Sequence, residues 1–203
     1  MTQLTPDRIL DEAMALLAAN GEAALSMRPL ATRLDVTPMA LYRYFRDRDA
    51  LLVALVARVS EGIEVPRRTS APADHAADHA VEIALTLHEL LVTHPWMIRL
   101  ISTGRLASPA GLEFSEALLG CARDCGLDTQ ASFVFYRTMF AAILGQATIS
   151  HAKTQHEGSA ISEHALASAP PLVASLAPEW AHLDAAATPT AVFHAIAAQL
   201  PQR

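Results

Sequence analysis

Apolar residues recur at helical spacing along most of this chain, and the interruptions fall where helices are capped or broken. Ile9, Ala13, Leu16 and Leu17 form a first stripe. Thr5-Pro6-Asp7 opens it with a cap, a proline suited to the first helical position and an acid at the positive helix end, and Asn20-Gly21 closes it. Ser26 then caps a short second helix that turns Leu30 and Leu34 inward, with Pro29 in its first turn, where a missing N–H is tolerated. A tight turn at Leu34-Asp35-Val36 follows. Asp35 stands where glycine would be most comfortable, and aspartate reaches left-handed backbone angles more readily than most residues. Thr37-Pro38 repeats the cap-plus-proline start. Leu41 and Phe45 face the core, which leaves Met39, Ala40, Tyr42, Arg43 and Tyr44 outside. Asp47 caps a fourth helix with Leu51, Leu55 and Val59 as its inner stripe.

Periodicity lapses over residues 64–74, which gather Pro, Ser and Thr and read as a linker. Beyond it the pattern predicts helices over about 74–93, 96–106, 109–125 and 128–153. Residues 155–169 read as a polar loop with a short helical turn, Pro170-Pro171 follows, and Thr188-Pro189 starts a last helix through Leu200. The expectation is an all-α protein. Residues 1–64 are expected to form a three-helix helix-turn-helix domain, and residues 65–203 a second helical domain.

Composition agrees with packed helices: 52% of the 203 residues are hydrophobic and only 5% aromatic. The net charge of −6 argues at first against a nucleic-acid partner. Its distribution changes that picture, because residues 28–48 carry Arg28, Arg33, Arg43, Arg46 and Arg48 against Asp35 and Asp47. A local basic footprint suffices for phosphate contact, while the modest total predicts weak nonspecific affinity. Arg33 reads as a solvated helix residue, and Arg46 leaves both readings open. Met39 and Ala40 are apolar and short enough to meet a thymine methyl. The face holds no Asn or Gln to read adenine, so readout is expected to rest on Arg43, methyl contacts and DNA shape.

The phrases Arg33-Leu34-Asp35-Val36-Thr37-Pro38 and Pro38-Met39-Ala40-Leu41-Tyr42-Arg43-Tyr44-Phe45-Arg46-Asp47-Arg48-Asp49-Ala50-Leu51-Leu52 resemble the DNA-binding domain of the TetR family, the tetracycline-repressor-like regulators. The resemblance covers roughly residues 5–60. It implies that Arg28 contacts phosphate or a base edge, and that Thr37, Pro38, Met39 and Ala40 lie against the major groove. It further implies that the Tyr42 hydroxyl meets a phosphate, that Tyr44 makes a second contact, and that Arg48 grips the DNA backbone. Asp35, usually glycine, and Pro29, usually polar, depart from the family pattern. Beyond residue 65 the likeness is one of helical character. It implies a cytoplasmic, ligand-responsive repressor that binds double-stranded operator DNA as a homodimer. The dimer would form through helices near 128–153 and 189–200, with Val134, Thr138, Ala141, Gly145 and Thr148, and Val192, Ile196 and Leu200, as the facing stripes.

For the effector, an unknown small molecule, His94, Trp96, Met97, Arg105, Phe114, Phe133, Tyr136, Arg137 and Phe140 mix apolar bulk with polar tips, as ligand pockets do. Ordinary helical cores have the same mix. Arg137 is the sharpest of the set because it interrupts an apolar helix.

Other chemistry finds little support. His75 and His79 are four apart beside Asp78, a spacing that can hold a metal, although the tract lies near the linker. His88-Glu89 begins a zinc-protease pattern that fails because residue 92 is Val. The sequence contains no nucleophile elbow, phosphate loop or dinucleotide fingerprint, so neither a cofactor nor an enzymatic activity is expected. Cys121 and Cys125 fit a reduced intracellular protein. Residues 1–20 are too acidic for a secretory leader, and the apolar run 133–149 is broken by Arg137 and Gln146, so no membrane span is expected. Two alternatives remain beside the regulator: a helical small-molecule-binding module acting through protein contacts, and an all-α enzyme.

Overall fold

The computed structural model describes residues 3–21, 24–66, 75–102, 109–155 and 169–201. In chain order the helices are α1 (Pro6–Asn20), α2 (Met27–Arg33), α3 (Pro38–Tyr42), α4 (Arg48–Ser60), α5 (Ala76–Thr93), α6 (Trp96–Ser102), α7 (Pro109–Asp124), α8 (Thr129–Gln155), α9 (Pro171–Leu176), α10 (Trp180–Ala186) and α11 (Pro189–Ala197). A 3₁₀ turn, Ala177–Glu179, joins α9 to α10. No strand occurs among the described residues.

The chain packs as two compact units. One comprises Met1–Glu64 with Trp96–Glu113, and the other Val65–Pro95 with Phe114–Arg203. The local start signals work largely as their chemistry dictates. Thr5 accepts a hydrogen bond from the Arg8 N–H, Asp47 accepts one from Ala50 at 2.7 Å, and Thr188 accepts one from Ala191. Ser26 and Thr37 occupy cap positions with extended backbone but make no side-chain cap bond. Gly21 ends α1 with φ +72°, beyond the ordinary reach of a side-chain-bearing residue.

In the first unit Ile9, Leu10, Ala13, Leu16 and Leu17 of α1 meet Leu25, Leu30, Leu34, Leu41, Phe45, Leu51, Leu52 and Leu55 in one core. Leu100 of α6 joins that cluster and Trp96 packs on its edge. Residues 96–102, expected with the second domain, therefore belong with the first, because α6 spends its apolar face on the α1–α4 core. Val59 is only half-buried, whereas Leu52 and Val56 are buried, so the inner face of α4 is broader than the three-residue stripe expected. Arg58 on α4 bridges Asp7 at 3.1 Å and Asp11 at 2.7 Å on α1.

The core of the second unit is made by α5, α8 and α11, which pack against one another. Ile83, Ala84, Leu87 and Leu91, then Met139, Ile143 and Ala147, then Phe193 and Ala197 are all buried. α9 and α10 fall where no helix was expected. None of their residues is buried, so they carry no apolar stripe for periodicity to detect. The last helix stops at Ala197, short of Leu200. Gln155 ends α8 rather than starting a loop; residues 156–168 of the expected loop, most of the linker over 64–74, and residues 103–106 of the predicted sixth helix lie outside the described residues.

His88 sits among these helices. Its Nε2 lies 3.3 Å from the Ser150 hydroxyl, and its ring meets Phe193 edge-on at 6.0 Å. Burial lowers its pKa below the ordinary 6.5, and burial does the same to His94. Below that pH the unfolded chain takes up protons that the native imidazoles resist. Stability should therefore be fully retained above pH 6.5 and fall as the pH drops below it. Melting temperatures measured between about pH 7.5 and pH 5.5 should show that decline, and His88→Gln should flatten it. An unchanged slope in the variant contradicts this assignment.

Candidate nucleic-acid interface

α3 is five residues long, far too short to be stable alone. It is held by the turn before it and by its two apolar anchors. Asp35 adopts φ +54°, the left-handed angle expected of that turn. The Asp35 N–H donates to Thr32 O and the Val36 N–H to Ala31 O, which closes α2 and aims the chain into α3. Pro38 then presets the first helical φ. Leu41 is completely buried and Phe45 nearly so, and both lie on the inner side as their spacing requires.

The opposite side is open. Met39 is 72% exposed and Tyr42 45%, both high for residues of such apolar area. Thr37, Pro38 and Arg43 are exposed and Ala40 is half-buried. Arg28 is exposed in the first turn of α2, which packs against α3. Tyr44 and Arg48 differ from these. The Tyr44 hydroxyl donates to the carbonyl of Leu4 at 2.8 Å, tying the segment before α1 to the end of the recognition element. Arg48 is half-buried and donates Nε–H to the Leu25 carbonyl at 2.8 Å. The remaining arginines of the 28–48 run also have partners: Arg33 pairs with Glu12 and Arg46 with Asp47, each at 3.0 Å.

The effector candidates are divided between the two units. Trp96 and Met97 fall in the first unit, and His94, Phe114, Phe133, Tyr136, Arg137 and Phe140 in the second; Arg105 lies outside the described residues. Met97 and Phe114 are buried, while Phe133 and Arg137 are exposed. Within the second unit Phe133, Tyr136 and Phe140 form an aromatic ladder with ring separations of 5.7 and 5.8 Å. The Arg137 guanidinium lies 5.9 Å from the Phe140 ring centre. Ser115 donates to the Tyr136 hydroxyl at 3.1 Å, a polar neighbour that the sequence did not single out. An open groove of about 350 Å³ lies elsewhere, lined by residues such as Asp128, Gln130, Val134, Phe135 and Gln199. No sequence signal marks it, because it forms where the start of α8 meets the end of the chain.

Along α8, Val134, Thr138, Ala141, Gly145 and Thr148 share one exposed face. Thr138 and Thr148 donate their hydroxyls back to Val134 O and Leu144 O, at 2.9 and 2.8 Å. That satisfies their polar groups within the helix. On α11 Val192 and Ile196 are half-buried, and beyond its end Leu200 is buried with Phe193 and Ala197, so of the expected stripe Leu200 alone is spent on the protomer's own core. Among the described residues no three His, Cys, Asp or Glu are grouped to hold a metal, and no helix is long and apolar enough to cross a membrane.

Residues 9–55 match the family described as bacterial regulatory proteins, tetR family, and residues 71–191 match the tetracyclin repressor-like C-terminal domain. The chain belongs to the TetR family. An HTH-type transcriptional regulator of Saccharopolyspora erythraea is 31% identical over 93% of this chain and 67% of its own length. ActR of Streptomyces coelicolor, solved with actinorhodin, superposes with a TM-score of 0.80 at 26% identity, covering 98% of this chain and 96% of ActR. BioQ, solved with its double-stranded DNA operator, gives a TM-score of 0.60 at 26% identity over 76% of this chain and 90% of BioQ. This TetR-family chain is accordingly a helix-turn-helix transcriptional regulator with an all-α architecture.

Proposed function

We propose that the protein is a ligand-responsive repressor that binds a near-palindromic operator as a homodimer, reading DNA with α3 of each protomer. The observation that carries this reading is the two-sidedness of α3. Leu41 and Phe45 are its anchors, and Met39, Ala40, Tyr42 and Arg43 are turned away from them. An apolar residue as exposed as Met39 at the start of a helix-turn-helix second helix suits contact with a thymine methyl in the major groove. Thr37 and Pro38 lie at the same helix start, and Arg28 and the Tyr42 hydroxyl suit contact with flanking phosphates. The likeness to BioQ, solved on its operator, supports the same reading.

Two recognition helices on a two-fold dimer stand about one DNA turn apart, roughly 34–36 Å, which calls for two inverted half-sites. The exposed α8 face, built of small residues with internally satisfied hydroxyls, is suited to close helix–helix contact with a second copy. The effector acts on the second unit, where the Phe133–Tyr136–Phe140 ladder with Ser115 and Arg137 suits a planar aromatic molecule; ActR, the structural relative, was solved with actinorhodin. A ligand that favours a dimer with mis-spaced recognition helices weakens operator binding, and operator must weaken ligand binding by the same factor.

Selection of bound sequences from a random DNA pool with the purified protein tests the proposal. An inverted repeat with half-site centres about ten base pairs apart is expected. Recovery of no enriched sequence would reject the regulator in favour of a helical module working through protein contacts.

A further inference from the structure

The α7–α8 edge of the second unit carries three aromatic rings and one cation that the helical core does not use. Phe133, Tyr136 and Phe140 recur at helical spacing on α8, with neighbouring ring centres 5.7 and 5.8 Å apart. Phe133 is 54% exposed, and Tyr136 and Phe140 are half-buried, so the ladder is an apolar strip open to solvent on one side. The buried residues Phe135, Met139, Ile143 and Ala147 occupy a different face of the same helix. Two polar groups stand on the strip. Arg137 is exposed, its guanidinium 5.9 Å from the Phe140 ring centre, and among the described residues it makes no ion pair. No carboxylate has come to it, although residues 114–203 carry seven Asp and Glu against four Lys and Arg. Lys153, by contrast, is paired with Asp184, and Arg123 is bonded to Thr129. The Tyr136 hydroxyl accepts from Ser115 Oγ at 3.1 Å, and a hydroxyl that accepts keeps its own O–H to donate.

We infer that the effector is a planar aromatic acid, whose rings lie along the Phe133–Tyr136–Phe140 strip and whose carboxylate takes the Arg137 guanidinium and the Tyr136 hydroxyl. This deepens the effector role proposed above for the ladder and rests on it. The strip selects shape and charge together. Aromatic rings offer a flat ligand stacking and edge contacts that a puckered one cannot match. A guanidinium presents a planar fork that fits the two oxygens of a carboxylate. A neutral ligand would leave that fork unpaired, and a cationic one would meet a like charge that no acid screens. The position also bears on control. Thr138 and Ala141, on the α8 face proposed for the second copy, are the next residues after Arg137 and Phe140. A bound acid therefore stands at the border of that contact, where it changes how closely a second protomer approaches.

The test is calorimetric titration of the full chain with three probes, naphthalene carboxylate, naphthalene carboxamide and decalin carboxylate, over about 1 µM to 1 mM. The aromatic acid should bind about tenfold more tightly than the amide, which has the same rings without the charge. It should bind about threefold to tenfold more tightly than the decalin acid, which keeps the charge and loses the flat rings. Arg137→Gln should abolish the preference for acid over amide, and Arg137→Lys should restore part of it, since an ammonium lacks the fork. Tyr136→Phe keeps the ring and should weaken the aromatic acid about threefold. The aromatic acid should also weaken binding to the selected operator, and operator should weaken binding of the acid by the same factor. Equal affinity for acid and amide overturns the inference and leaves an aromatic effector site without charge preference. An undiminished affinity for the acid in Arg137→Gln overturns the assignment of its carboxylate. Absence of saturable binding by all three probes overturns the inference together with the placing of the effector on this strip, while operator binding is decided separately by the DNA selection. If a variant does not fold, the three probes on the unmodified protein decide alone.

Discussion

Gly145→Arg is expected to leave each protomer folded and to dissociate the dimer. A Cβ built at Gly145 meets nothing within 4 Å in the protomer, so the fold itself has room for a side chain there. Glycine inside a helix is also about 1 kcal/mol less favourable than alanine, so α8 should not be weakened by the change. The neighbours on that face are Ala141 and Thr148, and a second helix can come close only while they stay small. An arginine there places a long charged chain between two backbones and requires its desolvation. Sedimentation should report a monomer at micromolar concentration with an unchanged helical circular dichroism spectrum. Operator affinity should fall by roughly 10²–10⁴, the gain that linking two half-site contacts provides. A variant that still sediments as a dimer would move the interface off this face of α8.

The second large effect concerns Leu41. It is completely buried and is the principal apolar anchor within α3. Truncation to alanine should cost about 2–5 kcal/mol, the range for removing a buried leucine side chain. The loss falls on the element proposed to meet DNA, so operator binding should disappear under conditions where most of the chain is still helical. Urea titrations followed by circular dichroism and by operator anisotropy would separate the two. A destabilisation below about 1 kcal/mol would mean that the core can collapse around the gap and that α3 is held chiefly by the Tyr44 and Arg48 bonds.

Most of the fold was readable because its signals are local. Thr5, Asp47 and Thr188 cap helices through their own side chains, and Asp35 takes the backbone angle its chemistry allows. Spacing alone put Leu41 and Phe45 inside and Met39 and Tyr42 outside. α9 and α10 escaped because a helix that buries nothing leaves no stripe to read. The effector candidates fared differently. Aromatic and cationic residues are candidates by type alone, and type does not say which helix stands opposite. Trp96 and Met97 belong to the first unit, while Phe133 and Arg137 lie exposed in the second.

The recognition element illustrates the division at the scale of single residues. Arg28, Arg43 and Arg48 are indistinguishable as letters, each a cation beside a helix start or on an outer face. Periodicity and capping, which act over three or four residues, were enough to determine an all-α chain with a helix-turn-helix near its start. Contacts spanning 21 to 51 positions, such as Arg33 with Glu12, Arg48 with Leu25, Tyr44 with Leu4 and Arg58 with Asp7, decided which polar groups are spent on the protein itself. Those pairings arise only when helices far apart in the chain are packed together, because short spacing sets the face a residue occupies and packing sets its partner.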